Sequence, residues 1–124
     1  MAKKKILFVD DEVDFLKMVK LNLEATGAYE VRTESKGLNA LTAVRQFRPD
    51  VIFLDVVMPD LDGGEVLEQL KVEPELKNIP VVFLTAIVTE KEVSNHGQIA
   101  GRSFIAKPIS TAKLIDCITS TLGG

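Results

Sequence analysis

Val51-Ile52-Phe53-Leu54-Asp55-Val56-Val57-Met58-Pro59 is the most apolar run in this 124-residue chain, and a single carboxylate interrupts it. A lone charge inside an apolar strand is costly to desolvate, so Asp55 is expected at the strand's end, free to do chemistry. There a carboxylate can act as nucleophile, metal ligand or both.

Similar bursts occur at Ile6-Leu7-Phe8-Val9, Val81-Val82-Phe83-Leu84 and Phe104-Ile105-Ala106, with a weaker one at Tyr29-Glu30-Val31-Arg32-Thr33. Continuous rather than alternating apolar runs belong to central parallel strands covered on both faces. Between them lie stripes of helical period: Leu16, Val19 and Leu23; Leu38, Leu41 and Val44; Val66, Leu67 and Leu70; Leu114, Ile118 and Leu122. Gly27 suits the end of the first helix, Pro49 and Pro80 precede strands, and Pro74 bars the third helix from continuing. Thr89 to Ala100 is the poorest helical segment, because Ser94, Asn95 and Gly97 favour other conformations. The alternation predicts an α/β fold with an open parallel sheet and helices on both faces. Ligands of such folds bind beyond the carboxyl ends of the strands.

The length fits one domain spanning 1–124, with 46% hydrophobic and 27% charged residues. A net charge of −3 gives no footprint for nonspecific nucleic-acid binding, and Lys3-Lys4-Lys5 reads as a solvated lead-in to the first strand. No apolar stretch reaches the roughly 20 residues that span a bilayer, and the N-terminus lacks a signal-peptide core, so a cytoplasmic location is expected. The single Cys117 has no partner for an internal disulfide and reads as a small buried hydrophobe in a helix.

The residues that follow the bursts form a set: Asp10-Asp11, Asp55, Thr85 and Lys107-Pro108. Each alone has an ordinary reading, as a helix cap for Asp10 or Asp11, a loop cap for Thr85 and a solvated side chain for Lys107. Together they have a common chemistry. Carboxylates about 5 Å apart repel by roughly 3 kcal/mol at an effective dielectric near 20, so three of them should recruit a cation, and an all-oxygen set suits Mg²⁺. A phosphoryl group could then approach Asp55 in line, with Lys107, the Thr85 hydroxyl and a backbone N–H near Ala86 around its equatorial oxygens.

The set Asp10-Asp11, Asp55, Thr85, Phe104 and Lys107-Pro108 on five βα units resembles the receiver domain of two-component response regulators, the CheY-like family, over the whole chain. The resemblance implies a flavodoxin-like (βα)5 three-layer sandwich with strand order 2-1-3-4-5. It implies phosphorylation of Asp55 by a sensor histidine kinase or phosphotransfer protein, with no catalysis beyond the chain's own phosphorylation and dephosphorylation. Asp11, Asp55 and the Val57 carbonyl would ligate Mg²⁺ directly, and Asp10 mainly through water. Lys107 would contact phosphoryl oxygens, Pro108 would follow a cis peptide, and Thr85 and Phe104 would act as switch residues. The face made by the fourth helix, fifth strand and fifth helix would bind or release an unidentified protein target, with dimerisation on phosphorylation left open. The chain is then either a stand-alone receiver or one excised from a longer polypeptide.

Departures from the family pattern sharpen the expectation. Val57 and Ile87, two residues after the acceptor and the threonine, are apolar and cannot orient a hydrolytic water, which predicts slow autodephosphorylation. Ile99-Ala100-Gly101-Arg102-Ser103 inverts the usual Gly-Ala order before the fifth strand, and Phe104 lacks a tyrosine's hydroxyl. His96 is the only histidine, and nothing around it suggests a phosphodonor. Three rivals remain: an unphosphorylated receiver-like module, a haloacid-dehalogenase-type phosphatase, which wants an aspartate where Val57 stands, and a flavin carrier, which wants a Ser/Thr/Gly first loop.

Overall fold

The structure, a computed structural model, describes residues 3–85, 98–99, 102–107 and 109–123. The elements run β1 (Lys4–Val9), α1 (Val13–Ala25), β2 (Tyr29–Glu34), a 3-10 turn (Gly37–Asn39), α2 (Ala40–Phe47), β3 (Val51–Asp55), α3 (Gly63–Lys71), β4 (Val81–Thr85), β5 (Gln98–Ile99), β6 (Arg102–Ala106) and α4 (Thr111–Leu122). The sheet order is β2-β1-β3-β4-β6-β5. Its first five strands are parallel, the 2-1-3-4-5 order expected with β6 as the fifth burst.

The apolar bursts of β1, β3 and β4 are buried on both faces, successive side chains pointing to opposite sides. Ile6 and Phe8 enter the layer beneath α1 and α4, where Leu16, Val19, Leu114 and Ile118 meet Phe53 and Val82. Leu7 and Val9 enter the other layer with Ile52 and Leu54, under Val44, Val66 and Leu70 of α2 and α3. Each such side chain contributes about 1.5–3 kcal/mol of burial. Phe8 and Phe53 stack with ring centroids 4.8 Å apart, so β1 and β3 are joined by side chains as well as by their ladder.

Two expectations need correction. Leu38 is 64% exposed and not part of the second helical stripe. The Asp60 carboxylate accepts the Gly37 and Leu38 N–H groups at 3.2 and 3.0 Å, which holds a 3-10 turn there and starts the helix at Ala40; the buried face becomes Ala40, Ala43 and Val44. Gln98 and Ile99, assigned by sequence to the fourth helical segment, instead form a two-residue strand antiparallel to β6. The rest of that segment up to Gly97, with His96, lies outside the described residues.

The remaining helix ends are closed by local backbone and side-chain contacts, and Gly27 stands where its sequence signal placed it. Gly27, just past α1, adopts φ +82°, and the chain resumes as β2 two residues later. Asp62 and Ser110 cap α3 and α4 by accepting the N–H groups of Glu65 and Lys113. Arg48 closes α2 at φ +53°, an uncommon choice for a side chain with a Cβ, and its N–H still reaches Val44 O at 2.8 Å.

Candidate functional site: an acidic pocket at the strand ends

The parallel register sets the site. Val9 lies opposite Leu54, Asp55 opposite Leu84 and Thr85 opposite Ala106, so the residues that end these strands emerge side by side. Main-chain bonds carry the ladder a step further: Asp10 N–H donates to Glu34 O, Val56 N–H to Leu84 O and Lys107 N–H to Thr85 O, at 2.9–3.0 Å. Asp10, Asp55 and Thr85 are the buried polar side chains among the described residues.

Carboxylate oxygens of Asp10, Asp11 and Asp55 lie within 4.8 Å of one another, with Asp11 exposed. Neither Asp10 nor Asp11 caps α1, whose N-cap is Glu12. Asp10 Oδ1 accepts the Glu12 N–H at 2.8 Å. Its Oδ2, wholly buried, meets the Lys107 ammonium in an ion pair at 2.5 Å. Asp55 Oδ1 accepts the Val57 N–H at 3.2 Å, and its Oδ2 lies 3.8 Å from Lys107 Nζ. Burial, then the Asp10 charge, push the Asp55 carboxyl up to about 7 against the pull of Lys107. Burial draws the Lys107 ammonium down, but Asp10, Glu12 and Asp55 outweigh it and hold it above the usual lysine range.

Three carboxylates gathered at one edge, two of them buried and with a single ammonium between them, are what a hard cation would satisfy. The all-oxygen donor set fits Mg²⁺ in particular, which takes few protein ligands and keeps several waters.

Residues that the sequence reading passed over complete the pocket. Lys107 Nζ sits 4.7 Å from the Phe15 ring centroid and 2.6 Å from Glu12 Oε1. Gly63 opens α3 directly against the acceptor strand. A Cβ there would stand 2.6 Å from Asp55 O and 3.1 Å from Val56 Cα, and its N–H donates to Val56 O at 3.0 Å. Only its position after the D-x-x-E cap of Asp62 and Glu65 hinted at this contact. Phe104 is half-buried against the α2/α3 layer, and Val57 is 60% exposed at the pocket's lip. An open cavity of about 340 Å³ adjoins Asp11, walled by Val13, Ser35, Lys36, Leu38, Pro59 and Asp60. Ala86, Ile87 and Pro108 lie outside the described residues.

A five-stranded parallel sheet in this order, with an acidic pocket and a lysine at its carboxyl edge, defines the CheY-like class of flavodoxin-like proteins. Residues 6–119 match the family described as response regulator receiver domain, and the chain belongs to that family. It is 36% identical over 120 residues to the polar-differentiation response regulator DivK of Brucella anthropi, covering 97% of each chain. Among solved structures it is similar to chemotaxis protein CheY4 of Vibrio cholerae, with TM-score 0.83 and 29% identity over 98% of this chain and 100% of that one. It is also similar to the signal receiver domain of a signal transduction histidine kinase from Syntrophus aciditrophicus, with TM-score 0.79 and 32% identity over 98% and 91%. The receiver is a regulatory domain of two-component signalling. Among the described residues no helix is long and apolar enough to cross a membrane.

Proposed function

We propose that residues 1–124 form a single receiver domain that works as a phosphorylation-controlled switch, taking a phosphoryl group on Asp55 from a phosphohistidine of a sensor kinase or phosphotransfer protein. The observation that carries this reading is the buried Asp55 carboxylate set among two further aspartates, with the Lys107 ammonium 3.8 Å away. An oxygen of ionised Asp55 attacks phosphorus; the O–P bond forms as the donor's N–P bond breaks, and the electron pair leaves on the imidazole, which takes a proton from solvent. Asp11, Asp55 and the Val57 carbonyl would hold Mg²⁺ directly and Asp10 through water. When bound, the ion supplies charge neutralisation that lets two anions approach.

The chain's own groups do the rest. Lys107 draws one equatorial oxygen, and the Thr85 hydroxyl and the Ala86 N–H serve the others. The new dianion draws Thr85 inward and biases the packing of Phe104, β6 and the last helix, and that face then regulates a protein partner. The reaction ends on the chain itself, so the domain is a regulator rather than a turnover enzyme. A haloacid-dehalogenase-like phosphatase is disfavoured because Val57 stands where its general acid would be.

Incubation with acetyl phosphate and Mg²⁺ should add about 80 Da by intact mass, and Asp55→Asn should abolish the gain. An unmodified wild-type chain would favour the inert interaction module; rapid turnover of varied phosphate esters would favour the phosphatase. Val57→Asn together with Ile87→Glu should shorten the lifetime of the phosphorylated form, because both supply polar groups that can orient a hydrolytic water.

A further inference from the structure

We infer that Glu12 is a positioning residue: its carboxylate holds the Lys107 ammonium on the Asp10 side of the pocket, away from Asp55, and so restrains the binding of an anionic phosphodonor. This rests on the phosphoacceptor reading of Asp55.

Distances give the first ground. Lys107 Nζ lies 2.5 Å from Asp10 Oδ2 and 2.6 Å from Glu12 Oε1, but 3.8 Å from Asp55 Oδ2. The ammonium is thus drawn to one side, and the Phe15 ring at 4.7 Å flanks it. To reach an oxygen of a group attached to Asp55, it has to loosen its hold on Glu12. A contact that is strong before transfer and weaker after it favours the unphosphorylated state.

The start of α1 gives a second, independent ground. Glu12 is the N-cap residue of α1, yet its side chain makes no capping hydrogen bond. Asp62 and Ser110, in the same position on α3 and α4, both cap. Glutamate is not among the favoured cap residues, whose shorter side chains reach the N–H groups of their own first turn. The added length that spoils the cap is what spans to a lysine 95 residues away in sequence. The Glu12 N–H meanwhile donates to Asp10 Oδ1, so the same residue also steadies Asp10, the lysine's other near partner. Its side chain is 59% exposed and stands outside the three-aspartate cluster, so replacing it leaves the cation ligands in place.

The test is Asp55 phosphorylation by acetyl phosphate with Mg²⁺, followed by intact mass over a range of donor concentrations, in wild type, Glu12→Gln, Lys107→Met and the double variant. Glu12→Gln should lower the apparent KM for acetyl phosphate by roughly two- to fivefold, the range set by an ion pair with one exposed partner, with the maximal rate nearly unchanged. The gain should vanish in the Lys107→Met background. Glu12→Ser, which restores a favoured cap, should melt higher than wild type and show the same KM gain, separating fold from positioning. An unchanged KM in Glu12→Gln, or an equal gain without the lysine, overturns the inference while leaving the phosphoacceptor reading intact. No Asp55-dependent mass gain in wild type removes that reading, and the role of Glu12 with it.

Discussion

Two charged clusters in this molecule are built on opposite terms. At the outer corner where α2 and α3 end, Arg45 pairs with Glu73 and Arg48 with Glu75, one cation to each anion, with every guanidinium about half-exposed. At the strand ends one lysine serves a crowd of carboxylates: Lys107 pairs with Asp10, Glu12 and Asp55, Asp11 stands beside the other two aspartates, and Asp10 and Asp55 are buried. The corner is neutral by pairing and contributes little, since exposed pairs are worth about 0–1 kcal/mol. The pocket holds surplus negative charge out of water. That opposes folding and suits a site meant to recruit a cation.

The sharpest way to break this contrast is Asp55→Asn, which should abolish phosphorylation and also make the metal-free protein more stable. With its folded value raised to about 7 from 3.8, Asp55 keeps its proton in the native state across that window while the unfolded chain loses it. Native protein then binds more protons, so stability falls as pH rises from about 4 to about 7 and the full penalty remains above that. Thermal melts at pH 8 in chelator should place Asp55→Asn on the order of 5 °C above wild type, and the gap should close near pH 4. Equal melting points at pH 8 would mean the pocket is no costlier than the corner.

Mg²⁺ provides the next test. At a hundredfold excess over its dissociation constant it should stabilise the wild type by about 2.7 kcal/mol. Asp11→Asn should lose most of that shift with little change in the metal-free melt, because its side chain is exposed. A third probe is Gly63→Ala, whose methyl would meet Asp55 O at 2.6 Å; it should cost roughly 1–3 kcal/mol and weaken Mg²⁺ binding in the same variant. Weakest of all should be Arg45→Gln, at most about 1 kcal/mol and diminishing with added salt. A larger, salt-insensitive loss would show that the corner carries more than exposed pairing.

Much of the fold was legible because the central parallel strands β1, β3 and β4 are buried on both faces and therefore write themselves as unbroken apolar runs, Val51 to Leu54 most plainly. The strand-end set followed from the same fact, since polar residues stand out where such runs stop. What escaped was whatever depends on contacts between distant segments. Glu12 looks like an ordinary exposed acid until Lys107 is brought beside it. Leu38 kept helical spacing, but the Asp60 carboxylate, over 20 residues on, reset the helix start behind it. Gly63 revealed a gap in side-chain volume only once Asp55 O was seen against it.

Val57 offers a practical handle on this pocket. Lying two residues past the acceptor and 60% exposed, it is a place where a cysteine could carry a fluorescent dye without entering the core. The native thiol competes poorly, because Cys117 is half-buried and its burial raises the energy of the reactive thiolate. A reporter could therefore be installed beside the aspartates in an otherwise unaltered chain, and cation arrival read in real time as a change in emission.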